Sequence, residues 1–192
     1  LAAAWAESGR QGLYHGLDFS PGLLAEARAA LEDLPHPGLE IRYDLADLSA
    51  PDWRAMLHGQ IYDGILAFAV LHHLPSAALR LDVVRRAAAL LPSGGRFIHS
   101  EWQYQHSPRL MARQLPWNTV GLQNEQLEEG DTLLDWRAPQ AGQSQQGLRY
   151  VHLFRLAELE ELAVQSGLRV IETFESDGEG GRLGLYQVWE KL

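Results

Sequence analysis

The stretch that most constrains the fold of this chain runs over residues 62–100. Residues 65–71 form a short apolar run bounded by turn residues, which reads as a buried parallel strand. Pro75 and Ser76 mark a helix start, after which Leu79, Val83, Ala87 and Leu90 recur at helical spacing. Pro92, Gly94 and Gly95 stop that helix, and residues 96–100 open the next strand. Strand, helix and strand in this order make a βαβ unit, which predicts parallel strands joined by a covering helix.

The same rhythm extends toward the N-terminus. Residues 1–8 read as the tail of an amphipathic helix stopped near Gly9, and residues 11–18 as a strand. Ser20 is a good N-cap, Pro21 suits the first helical position, and Leu24, Ala27, Leu31 and Leu34 supply a buried stripe. Residues 40–43 give another strand, and residues 51–58 a short helix or turn. The alternation predicts an α/β fold with a doubly wound, mostly parallel sheet. After Glu101 the rhythm breaks into a Gln-rich, weakly periodic segment, with a polar stretch at residues 138–147. It resumes with a helix carrying Leu156, Leu159, Leu162 and Ala163, closed by Gly167. Strands at 168–174 and 183–189, joined by a Gly-rich loop, predict a terminal antiparallel hairpin. The expected organisation is one domain over residues 1–192, with 102–150 inserted as a cap over the carboxyl edge of the sheet.

Composition narrows the function classes. A net charge of −9 argues against unaided tight binding to nucleic acid, which needs a basic footprint. Cysteine is absent, so disulfide and thiolate chemistry do not apply, and the cytoplasm is the default compartment. No apolar run approaches the roughly 20 residues of a membrane helix. Adjacent His72 and His73 invite a metal reading, but neighbouring side chains diverge and no metal-ligand spacing surrounds them, so no metal is expected.

Asp18 ends a strand just before a capped helix, at the edge where doubly wound sheets bind ligands, and a carboxylate there can accept hydrogen bonds from ribose hydroxyls. A turn aspartate is an equal alternative on position alone. Asp47 and Leu48 follow the next strand, with Asp44 as the competing acid.

Three segments together resemble the class I methyltransferases that use S-adenosylmethionine (SAM). They are Gly16-Leu-Asp-Phe-Ser-Pro21, Asp47-Leu48 after the following strand, and Leu71-His-His-Leu-Pro75 followed by Leu91-Pro-Ser-Gly-Gly95. The resemblance implies a Rossmann-like fold. It also implies that Asp18 holds the SAM ribose with Phe19 near the adenosine, that Asp47 takes the adenine amine beside Leu48, and that Ala67 and Phe68 line the methionine arm. It implies that one of the two histidines, taken as His72, lines the pocket. The family's glycine loop after the first strand does not occur in this sequence, so a first strand and glycine loop are expected to be missing from it.

Gly130-Asp-Thr-Leu-Leu-Asp-Trp136 and Arg149-Tyr-Val-His-Leu-Phe154, with Glu158-Leu159, resemble a narrower group, the tRNA methyltransferases that esterify a carboxymethyl group on the wobble uridine. That likeness implies that Arg149 and His152 hold a substrate carboxylate or phosphate, and that Trp117 and Trp136 belong to the acceptor side. The final hairpin departs from the ending associated with that group. A small-molecule acid or metabolite is the alternative acceptor, and a helper protein a possible partner. Two rival functions remain: a nicotinamide oxidoreductase, whose ribose Asp18 would serve equally well, and a partner subunit that keeps the fold without cofactor.

Overall fold

The computed structural model describes residues 1–137 and 146–192. It comprises two compact units, Leu1–Gly59 and Gln60–Leu192, each taken by itself below.

In the first unit, α1 (Ala2–Glu7) leads to β1 (Gly12–Asp18), α2 (Pro21–Ala29) and β2 (Leu39–Leu45). Ser20 caps α2 as expected, its hydroxyl accepting from the Leu23 N–H at 3.3 Å, with Pro21 at the first helical position. The helix ends sooner than its apolar stripe suggests, and Leu31 is buried from the turns that follow. β1 and β2 pair in parallel, with Asp18 opposite Leu45. Ala2, Ala6, Leu31 and Leu39 form a small core, edged by Trp5, Tyr14 and Tyr43.

The second unit holds β3 (Gly64–Phe68), α3 (Ala77–Ala88), β4 (Arg96–Trp102), the short α4 (Pro108–Met111), β5 (Gln114–Leu115), β6 (Asp131–Arg137), β7 (Gln146–His152), α5 (Leu156–Gln165), β8 (Leu168–Ser176) and β9 (Gly184–Lys191). The βαβ unit forms as read: β3 and β4 are parallel, and the Ser76 hydroxyl caps α3 by accepting from Leu79 N–H at 3.3 Å. β9 lies antiparallel between β4 and β8, which is the expected terminal hairpin, in the order β3-β4-β9-β8. Period-two alternation along β4 and β9 sends Phe97 and Trp189 to one face. The two are register partners, their rings stack at 5.5 Å, and both are fully covered along with Val84 of α3 and Leu159 and Ala163 of α5. Such an aromatic pair adds roughly 0.5–1.5 kcal/mol beyond its buried area.

Two expectations are corrected. The strands do not share one sheet: β1 and β2 make a two-stranded sheet, and β3 belongs to the separate four-stranded one. A sheet is continuous only where a hydrogen-bonded ladder joins neighbours, and among the described residues nothing pairs with the second edge of β1 or of β3. Nor is the pairing mostly parallel. Among the described residues only β1–β2 and β3–β4 are parallel, because the segment read as irregular folds into a third, antiparallel sheet, β5-β6-β7. Its strands escape a period-two reading because β6 is covered on both faces, with consecutive Leu133 and Leu134 both buried. Most of the polar stretch at 138–147 lies outside the described residues.

Candidate functional site

Asp18 and Asp47 lie at the same carboxyl edge of the parallel pair in the first unit. Asp18 is the last residue of β1, and its carbonyl accepts from Ala46 N–H at 2.9 Å, just beyond β2. Its Oδ1 accepts from Ser20 N–H at 2.8 Å, which fixes the carboxylate beside the start of α2, and Oδ2 carries no bond among the described residues. Phe19 is 76% exposed, a large apolar ring left at the surface next to that carboxylate. Asp47 is exposed, with Leu48 half-buried beside it. The Ser49 hydroxyl and N–H both donate to Asp47 Oδ1, at 2.6 and 2.8 Å, and hold its carboxyl below the usual range. The competitor, Asp44, is engaged inside β2, where its Oδ2 lies 2.7 Å from His15 Nε2. These observations fit a nucleoside: two carboxylates at one strand edge, an exposed aromatic ring and a rival acid already occupied.

In the second unit, β3 ends on buried Ala67 and half-buried Phe68. The chain then turns sharply at Ala69, which has a left-handed φ of 55° and donates its N–H to Ser100 O at 3.0 Å. The 3-10 turn Leu71–His73 follows. His72 is fully buried; its N–H donates to Glu101 Oε2 at 3.0 Å and its Nδ1 lies 2.8 Å from the same oxygen. Glu101 Oε1 lies 2.9 Å from His99 Nδ1. Burial drives all three groups toward neutrality: it holds His99 at about 3, holds His72 well below the usual value with help from the His73, Arg149 and His152 charges, and pushes Glu101 well up. His72 Nδ1 lies between Glu101 Oε2 and the Trp102 N–H, which donates to it at 3.3 Å. His72 Nε2 is buried and without a partner among the described residues.

Trp102 and His73 pack against the His72 ring, and Arg149, assigned to the site from the sequence, lies over Trp102. The His72 ring stacks on Trp102 at 5.2 Å, the His73 ring meets it edge-on at 4.3 Å, and the Arg149 guanidinium sits 5.4 Å over Trp102. His73 Nδ1 donates to Tyr150 O at 2.9 Å, tying the turn after β3 to β7. Trp117 reaches Tyr150 at 6.2 Å, and Trp136 lies in β6 opposite Gly147.

His152 is not where a substrate ligand would have to be. It is 1% exposed, and both ring nitrogens are taken, Nδ1 by Asp131 Oδ1 at 2.8 Å and Nε2 by Glu158 Oε1 at 2.9 Å. Tyr150 donates to the same Asp131 oxygen at 2.6 Å, and Arg80 bonds Tyr150 Oη at 3.3 Å, Glu158 at 3.4 Å and Glu128 at 2.5 Å. The tRNA-methyltransferase-like segments therefore bind one another. Gly130 makes the turn at φ 102°, where a Cβ would lie 2.8 Å from Leu153 O, and Asp131, Tyr150, His152 and Glu158 close a hydrogen-bonded ring through Arg80. That part of the likeness describes how the β6–β7 pair is tied to α3 and α5. Of the residues in it, Arg149 is the one set against Trp102. Glu128, Asp131 and His152 lie close enough to share a metal ion, but Arg80 and His152 already face these carboxylates.

The sequence reading missed Glu101, His99 and Arg80. Their signals were present: Phe97, His99 and Glu101 alternate onto one strand face, and Arg80 precedes Val84 and Ala88 at helical spacing.

Comparison with known proteins shows which family the chain belongs to. The profile described as "Methyltransferase domain" matches residues 1–97. The chain belongs to that family. A protein of Encephalitozoon cuniculi described as a methyltransferase is 28% identical over 158 residues, 82% of this chain, and the chain spans 62% of that relative's length. A SAM-dependent methyltransferase from Methanosarcina mazei superposes with a TM-score of 0.65 at 17% identity, over 100% of this chain and 87% of the other. One from Clostridium acetobutylicum gives 0.69 at 12% identity, over 99% and 78%. The fold is thus that of the Rossmann-like methyltransferases, and no helix among the described residues is long and apolar enough to cross a membrane.

Proposed function

We propose that this protein transfers a methyl group from SAM to an acceptor bound beneath the β5-β6-β7 cap, with residues 1–192 acting as one methyltransferase domain and 102–150 as its cap. Membership of the methyltransferase family, with Asp18 and Asp47 at one strand edge, carries the cofactor half of this reading. Asp18 accepts from the ribose hydroxyls, Asp47 from the adenine amine, Phe19 and Leu48 cover the adenosine, and Ala67 and Phe68 line the methionine arm. When bound, SAM supplies an electrophilic methyl for in-line displacement, so the protein's task is to position the acceptor and exclude water.

The buried, unpartnered Nε2 of His72 carries the acceptor half. An unpaired buried polar atom costs about 1–3 kcal/mol, which a hydrogen-bonding group on the acceptor would recover. Trp102 beside it offers a flat apolar surface, and Arg149 a cation for a carboxylate. A carboxymethylated wobble uridine of tRNA has all three features: an imide that can donate or accept, a planar ring and a carboxylate. The net charge of −9 favours a small planar acid instead, unless a partner protein supplies a basic surface.

Tritium transfer from labelled SAM separates the two. Incorporation into bulk tRNA, with cell extract added to supply a partner, should fall steeply as salt rises and be lost in Arg149→Ala. No incorporation into tRNA under these conditions would remove the tRNA acceptor and leave the small acid.

A further inference from the structure

We infer that His152 is a proton-operated clasp that holds the β6–β7 hairpin of the cap onto helices α3 and α5. Both its ring nitrogens face carboxylate oxygens, Asp131 on β6 and Glu158 on α5. A carboxylate only accepts, so both nitrogens must donate, and the ring is an imidazolium. The other groups around it are Tyr150 of β7, which donates to Asp131, Arg80 of α3, which bonds Tyr150, Glu158 and Glu128, and neutral His72 after β3. Three carboxylates thus face two cations. Loss of the His152 proton leaves a bare nitrogen against a carboxylate and breaks the ring between three elements.

Burial opposes the charge on His152, but its bonds to Glu158 and Asp131 outweigh burial and hold it above the ordinary 6.5. A raised value fixes the sign: the clasp is fully formed below about pH 6.5 and is lost as pH climbs through the folded-state value. The consequence reaches the candidate acceptor site through β7. Tyr150 and His152 point to the clasp, while Arg149, which precedes Tyr150 and faces the other way by alternation, sits over Trp102. Tyr150 and His152 are therefore positioning residues for Arg149, with no part in the chemistry.

The test does not depend on activity. Isotope-labelled histidine resonances, with His152 identified by its loss in His152→Gln, give the ionisation midpoint by NMR. Hydrogen exchange of the amides of β6 and β7, corrected for intrinsic rate, gives the clasp. The midpoint should lie above 6.5. Protection should fall with rising pH, by about tenfold for each unit by which the midpoint exceeds 6.5. In His152→Gln, protection should be low and insensitive to pH. A midpoint at or below 6.5, or the same protection profile in His152→Gln, overturns the clasp. Should that variant not fold, Glu158→Gln decides: a lowered midpoint supports the clasp, and an unchanged one refutes it.

Discussion

Replacing Arg80 with methionine should destabilise the second unit by about 2–3 kcal/mol at pH 7, and the structure shows why the figure is not larger. The Arg80 side chain is 2% exposed and joins Glu128 at 2.5 Å, Glu158 at 3.4 Å, Tyr150 Oη at 3.3 Å and Leu74 O at 3.1 Å. Stranding one member of a buried pair costs about 3–5 kcal/mol when the survivor cannot reach water. Here the surviving carboxylates can, since Glu128 and Glu158 are 38% and 34% exposed, and this pulls the estimate down. Methionine preserves much of the packing made by the Arg80 stem, whose guanidinium lies 5.3 Å over the Phe154 ring, so the loss reports charge and hydrogen bonds. Arg80→Lys keeps the charge without the fork and should lose about half as much. Urea unfolding followed by tryptophan fluorescence reads this directly. With a slope of about 2 kcal/mol/M, the midpoint of Arg80→Met should drop by about 1 M. A midpoint within 0.2 M of the native protein, or equal losses for Met and Lys, would refute the reasoning.

Gly130→Ala should cost about 1–3 kcal/mol, because it combines a positive φ with a Cβ pressed on Leu153 O, and thermal unfolding would show it as a clear drop in Tm. His99, held at about 3 against an ordinary 6.5, contributes stability that is present above pH 6.5 and lost as pH falls toward 3. Between pH 7.5 and pH 5 that loss amounts to about 2 kcal/mol, set by the unfolded chain alone. His99→Gln should show a correspondingly shallower acid dependence in urea titrations, and an identical acid loss in both proteins would argue against a neutral buried His99.

The central βαβ unit was legible because its signals are local: an apolar run, a capping serine and a glycine stop. The terminal hairpin was legible for the same reason. The cap was not, because Leu133 and Leu134 are buried on opposite faces of β6 and so show neither a period of two nor one of 3.6. The separation of β1–β2 from β3–β4 was hidden too, since parallel partners are chosen by long-range ladders that short-range pattern does not encode. At the candidate site, the position of Asp18 and Asp47 after strands was legible, but their proposed roles came from the family resemblance. The role of His152 could not, because its partners are 21 and 6 residues away in sequence and only folding makes both of its nitrogens internal.

The most direct test of the account is a calorimetric titration of the full chain with SAM, run on the native protein and on Asp18→Ala. The account predicts saturable binding at one site, weakened in Asp18→Ala by about 1–3 kcal/mol, the cost of removing the acceptor from a buried donor. Saturable binding with the same affinity in both proteins, or no binding by the native chain, would contradict it.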